Sequence, residues 1–208
     1  MRPRLRAGWC LPRRSGLLAL CSGQEEIPRA KATDTVTEPT TLRGAHVLLR
    51  PATPHDIPAL AAVRATPEVR ERWRGGTDMA AAVAEDLAEP GSRTLAIEYA
   101  DRVVGAIQWA EETEPDYRHA NIDIYLDPAL HGNGLGADAV RTLARYLITD
   151  RGHHRLVIDP AADNEPAIRC YRKVGFRPVG VMRRYERAED GSWHDALLMD
   201  LLAEELTN

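Results

Sequence analysis

The segment that most restricts the fold runs from Ala120 to Ile158. Ala120-Asn-Ile-Asp-Ile-Tyr-Leu-Asp127 alternates apolar and polar residues, so Ile122, Ile124 and Leu126 share one face of a strand and Asp123, Tyr125 and Asp127 share the other. His131-Gly-Asn-Gly-Leu-Gly136 follows and opens a helix to about Ile148, with an apolar stripe at Val140, Leu143, Ala144 and Leu147. His154-Arg-Leu-Val-Ile158 is the next strand. Strand, glycine turn, helix and strand make a crossover unit with two parallel strands. Glycines let the backbone approach a ligand, and the unpaired N–H groups of the first helical turn, at the positive end of the dipole, attract anions.

The surrounding sequence extends this unit in both directions. His46–Arg50 reads as a strand ended by Pro51, and Thr53-Pro54 starts a helix through about Arg64, with Ile57, Leu60, Ala61 and Arg64 on one side. Helical patches follow at Pro67–Trp73 and from Asp78 through Leu87. Thr94–Tyr99 and Arg102–Trp109 then form a hairpin across Ala100-Asp101, and Glu111–Asp116 reads as an acidic loop. Asp163-Asn164 caps a helix through Val174, and Phe176–Arg184 with Trp193–Leu201 closes the chain as an antiparallel pair around Glu189-Asp190-Gly191. The expected class is α/β with a mixed sheet.

Three phosphate binders compete for the glycine loop. A nucleotide-triphosphate loop needs a Lys-Ser/Thr pair that is missing here. Gly132-x-Gly134-x-x-Ala137, with Asp159 at the end of the next strand, matches the dinucleotide fingerprint. However, the glycines lie too far from the preceding strand, and too little chain remains for the other parallel strands. The third reading joins the loop to Asn164-Glu-Pro-Ala167-Ile-Arg-Cys-Tyr171-Arg-Lys-Val-Gly175-Phe176. Together these motifs resemble the GNAT superfamily of acetyl-CoA-dependent N-acetyltransferases over residues 45–201, with His131 where that family usually has Gln or Arg.

The resemblance implies a GNAT fold: a mixed central sheet splayed between its fourth and fifth strands, with flanking helices, occupying residues 41–208. It further implies acetyl-CoA as co-substrate, bound in the splay. The pyrophosphate would sit on the loop formed by His131, Gly132, Asn133, Gly134, Leu135, Gly136 and Ala137. The pantetheine would run along Tyr125 and Leu126 and be held at Asn164 and Ala167. Tyr171 would protonate the departing thiolate, since phenol and thiol have similar proton affinities. A backbone N–H near Tyr125 would stabilise the oxyanion, and Asp123 would act as base, directly or through a water.

Trp109-Ala-Glu-Glu-Thr-Glu-Pro, Ile122-Asp123 and Ile158-Asp159-Pro160 are similar in particular to the aminoglycoside 6′-N-acetyltransferases. That similarity implies substrate binding by Asp123, Asp159, Glu111 and Glu112, with Glu114 and Asp116 on an acidic rim and Trp73 capping a cleft as part of a lid before Gly75-Gly76. Other amines remain alternatives: a siderophore hydroxylated amino acid, a polyamine or a protein N-terminus. A CoA-binding module without turnover is a further alternative. Association through the terminal strands, common in the superfamily, suggests a homodimer.

Charge fits a cationic small molecule. Residues 1–40 carry seven bases and four acids, and residues 41–208 carry 20 bases and 27 acids, so the tail is +3 and the body −7. A body of that sign disfavours nucleic acid, and no apolar run is long enough to span a membrane. Cys10, Cys21 and Cys170 show neither disulfide nor zinc spacing, which favours a reducing cytoplasm. Cys170 reads as a buried helix residue and His153-His154 as a surface pair, so no metal is expected. Residues 1–40 imitate a signal peptide, with an apolar stretch too short for one, then continue as a polar segment without period. They are expected to be a disordered, dispensable extension.

Overall fold

The computed structural model describes residues 41–73, 76–188 and 191–207. The expected N-terminal extension, Gly75 of the lid and Glu189-Asp190 of the last turn lie outside the described residues. Among the described residues eight strands form one sheet in the order β1-β2-β3-β4-β5-β6-β8-β7. They are β1 (Leu42–Arg43), β2 (Leu48–Pro51), β3 (Ser92–Tyr99), β4 (Arg102–Glu112), β5 (His119–Leu126), β6 (Arg155–Ile158), β7 (Arg177–Arg187) and β8 (Trp193–Leu202). The helices are α1 (Ile57–Arg64), α2 (Pro67–Arg72), α3 (Met79–Ala88), α4 (Leu135–Thr149) and α5 (Glu165–Val174). The mixed α/β sheet with flanking helices is the expected GNAT architecture.

Several boundaries differ from the expectation for identifiable reasons. β1 is an additional short strand, held because Asp138 of α4 accepts the N–H groups of Ala45, His46 and Val47 at 2.7–3.0 Å. Pro51 lies inside β2, opposite Leu95. β4 extends through Glu111 and Glu112 because they pair with Ala120 and His119, so the acidic loop begins after them. β7 continues to Arg187 beyond an irregularity that hides its strand period.

The pleat of β4 and β5 separates two cores. Ile107, Trp109, Ala120, Ile122 and Leu126 pack with Val140, Leu143, Ala144 and Leu147 of α4, and Ile168, Tyr171 and Val174 of α5 belong to the same cluster. Ala106 and Tyr125 instead pack with Leu60 and Val63 of α1, Val69 of α2 and Val83 of α3. Arg64, a position the helical spacing assigned to the apolar side, is fully buried there. Its guanidinium pairs with Asp86 at 2.8 Å and lies 5.9 Å from the ring centroids of both Trp73 and Tyr125. The arrangement satisfies a buried cation with a carboxylate and two aromatic faces.

All neighbouring strands are antiparallel except β5 and β6. That parallel pair, joined through α4, is in register only at Ala120↔Leu156 and Asn121↔Val157. Beyond Asn121 the two strands separate, which leaves one edge of β5 open toward the glycine loop.

Candidate active site

The opening exposes a defined set of backbone groups. Asp127 N–H donates to Val104 O at 2.8 Å, so it points to β4. Because strand amides alternate in direction, Asp123 and Tyr125 also turn theirs toward β4, while the N–H groups of Ile124 and Leu126 face the opening. The Tyr125 carbonyl lies so close to Gly105 that a Cβ there would collide with it, so glycine is required where β4 meets this part of β5. β5 therefore presents an open strand edge with donors one residue to either side of Tyr125.

The glycine loop has the geometry of an anion cradle. Gly132 and Gly134 have φ of 83° and 81°, a left-handed conformation costly for other residues. Gly134 is the N-cap of α4, and the first intrahelical bond is Asp138 N–H to Gly134 O. Leu135, Gly136 and Ala137 therefore have first-turn amides without intrahelical acceptors. Leu135 and Ala137 bury their side chains in the core, whereas Asn133 is exposed. The exposed His131 ring has its Nε2 3.2 Å from Leu126 O, tying the loop to the end of β5.

Asn164 is the N-cap of α5, its Oδ1 accepting Ala167 N–H at 3.2 Å. Its NH₂ group is then what it offers a ligand carbonyl. Cys170 is partly buried behind the loop, at van der Waals distance (3.5 Å) from where a Cβ on Gly136 would sit. Burial raises its proton affinity, the opposite of what a nucleophilic thiol needs. These residues fit an acyl-CoA through backbone amides, a free strand edge and one side-chain amide.

Beside the opening, Asp123, Asp159 and Tyr171 lie within one another's electrostatic reach, together with two residues missed in the sequence, Tyr185 and Glu186. Asp123 is exposed on β5, opposite buried Gln108. Asp159 lies one residue past β6. Burial, with the charges of Asp123 and Glu186, pushes its carboxyl up to about 6, although a hydrogen bond from the Tyr185 hydroxyl acts in the other direction. Tyr171, 8% exposed, has its proton affinity raised by burial and by Cys170, Asp123 and Asp159. It is thus a protonated phenol at neutral pH. Burial and the Asp159 charge likewise keep Tyr185 protonated.

The remaining predicted substrate residues take different positions. Glu111 pairs with Ala120, which puts it on the face opposite Asp123. There it bonds Arg151 at 2.9 Å and buried His153 at 2.7 Å. Burial alone would raise its proton affinity, but those two partners outweigh it and hold Glu111 below the usual range. His153 is thereby a core residue, while His154 is exposed. Glu112 is on the Asp123 face, paired with His119 four residues from Asp123, or about 13 Å along the strand. Its carboxylate accepts Glu114 N–H at 2.9 Å, and Glu114 and Asp116 are exposed. Trp73 packs edge-on against Tyr125 with centroids 4.8 Å apart, anchoring α2 beside this face. Among the described residues no group of His, Cys, Asp or Glu is arranged to hold a metal ion, and no helix is long and apolar enough to cross a membrane.

The model of the acetyltransferase (GNAT) domain matches residues 46–177. The chain belongs to the GNAT family. It is 41% identical over 75 residues to the aminoglycoside N(6′)-acetyltransferase type 1 of Klebsiella pneumoniae, covering 36% of each chain. It is 34% identical over 103 residues to the mycothiol acetyltransferase of Arthrobacter sp. (strain FB24), covering 48% of this chain and 31% of that one. The chain therefore spans about a third of the length of these two curated relatives. The solved structure of AAC(6′)-Ib in complex with ribostamycin and coenzyme A superposes with a TM-score of 0.64 at 27% identity, over 77% of this GNAT chain and 95% of that one.

Proposed function

We propose that this GNAT protein transfers acetyl from acetyl-CoA to a primary amine of a polycationic aminoglycoside, the 6′-amine being favoured, and so confers antibiotic resistance. The observation that carries the reading is the meeting of Asp123 and Asp159 beside the protonated Tyr171, with Glu186 adding its charge at Asp159, next to the opening between β5 and β6. Convergent carboxylates attract an ammonium and would repel an acidic acceptor. The similarity to aminoglycoside N(6′)-acetyltransferase and to the ribostamycin complex supports the same acceptor class.

When bound, acetyl-CoA supplies the acetyl group and leaves with its sulfur as a thiol. Asp123 takes the ammonium proton, directly or through a water, so that a neutral amine can attack. The outward N–H groups of Ile124 and Leu126 are positioned to receive developing oxyanion charge. Tyr171 holds the proton for the departing sulfur. As the N–C bond forms and the C–S bond breaks, Tyr171 gives its proton to the thiolate and the second proton lost by the nitrogen returns through water to the Tyr171 oxygen, so the net release is the single ammonium proton first taken by Asp123. Asp159 binds a second region of positive charge on the acceptor.

Thiol release from acetyl-CoA, measured in parallel with kanamycin, a hydroxylysine and a ribosomal N-terminal peptide, tests this. Turnover with kanamycin is expected. Silence with kanamycin but turnover with another amine would retire the aminoglycoside and keep the chemistry, whereas silence with every amine would favour a CoA-binding module.

A further inference from the structure

β7 contains a distortion that an ordinary hairpin does not need. Met182 pairs with Ala196 and Glu186 with His194, so Arg183, Arg184 and Tyr185 stand opposite Asp195 alone. Arg184 adopts φ of 51°, a left-handed conformation that is strained for a non-glycine residue. Asp195 accepts the Arg184 N–H at 2.7 Å and so holds the bulge. On the other side of β8, Ala162 N–H donates to Asp195 O and Leu197 N–H to Pro160 O, both at 2.8–2.9 Å, which stitches the segment after Asp159 to the same part of β8. Bulges re-aim side chains near functional sites. Here the re-aimed side chain is Tyr185, which the bulge and the bonds of Pro160 and Ala162 to β8 bring beside Asp159.

The groups around Asp159 show what that bond does. Asp123 from β5 and Glu186 from β7 are like charges that favour its protonation, and Tyr171 from α5 is a neutral phenol coupled to it. Tyr185 and Asp159's own backbone N–H act in the opposite direction. A carboxylate in that setting has two ways to relieve repulsion: take up a proton or turn away. A fixed phenolic donor opposes both. We propose that Tyr185 is a positioning residue of the acceptor site, carried there by the Arg184 bulge, and that by donating to Asp159 it keeps this carboxylate oriented toward the acceptor ammonium.

The inference rests on Asp159 as an acceptor-binding group, and the experiment separates the two. Tyr185→Phe is made in the full chain, alone and combined with Asp159→Asn, and assayed with whichever amine is turned over. Loss of one hydrogen bond to a charged group is expected to raise acceptor KM by about tenfold, with kcat and the acetyl-CoA KM little changed. The acid limb of the pH profile should move to higher pH. In the Asp159→Asn background the same substitution should leave KM nearly unchanged. Independently of turnover, the carboxyl-carbon NMR titration of Asp159 in substrate-free protein should move upward in Tyr185→Phe. An unmoved titration, or equal fold-effects of Tyr185→Phe in both backgrounds, would overturn the inference. Loss of turnover with every amine would count against the proposed function while the titration still decides the role of Tyr185.

Discussion

Asp123 and Asp159 are chemically identical side chains separated by their surroundings. Asp123 is exposed on an open strand face, whereas Asp159 is enclosed and has two carboxylates for neighbours. In the proposed mechanism Asp123→Asn removes the proton acceptor and should lower kcat at least about tenfold with acetyl-CoA binding little changed; steady-state kinetics and a CoA binding isotherm check it. A profile indistinguishable from wild type would take Asp123 out of the mechanism. Asp159 supplies the pH dependence. Its carboxyl titrates at about 6, so below that pH it binds a proton and loses the charge that holds an ammonium. Acceptor kcat/KM should therefore fall as pH drops through about 6, and Asp159→Asn should abolish that limb. A limb that persisted in Asp159→Asn would assign it to another group.

At the scale of elements, function depends on where regular structure stops. The ladder between β5 and β6 ends after two residue pairs, and α4 begins on a left-handed glycine. Gly134→Ala would place a Cβ in open space but force it into φ of 81°, a cost of about 1–2 kcal/mol. The helix N-terminus should reorganise to avoid it, raising the acetyl-CoA KM about fivefold or more, with acceptor KM largely preserved. An unaltered acetyl-CoA KM would mean that the loop conformation is unimportant for the cofactor. The acidic segment shows the same dependence on registry. Glu111 and Glu112 are adjacent in sequence, yet the pleat sends one to Arg151 and His153 and the other to the face of Asp123.

Across the whole molecule, carboxylates also fasten the periphery to the sheet. The Arg50 guanidinium and two Thr53 bonds hold buried Asp56 down to about 2, and three backbone N–H groups outweigh burial to keep Asp138 below its usual range. Glu111 is held low in the same sense. Groups with depressed folded-state values stabilise the protein above their ordinary values, and that stability disappears as pH falls toward the folded-state values. Stability should therefore decline from about pH 4 to about pH 2. From its shift, Asp56 contributes about 2 kcal/mol at neutral pH. Urea unfolding should show Asp56→Asn less stable than wild type by about that amount at pH 7, with the two converging near pH 2. A difference that stayed constant with pH would show that the ion pair does not titrate as argued.

The elements with a clear period were legible in the sequence: the alternation of β5, the stripe of α4, the cap of α5 and the glycine loop between them. Local backbone preference and one-sided burial determine such features, and both are written in neighbouring residues. So were the directions of Asp123 and Tyr171, because a pleat and a helical repeat decide which way they point. Registry and distortion were not legible. The assignment of Glu111 to the opposite face, the early end of the β5–β6 ladder and the Arg184 bulge all depend on partners distant along the chain. Tyr185 stands 26 residues after the carboxylate it bonds, and no local pattern reports that meeting. Residue order alone set which chemistry could be offered, while contacts between residues distant along the chain selected which carboxylates share a field and which hold the fold together.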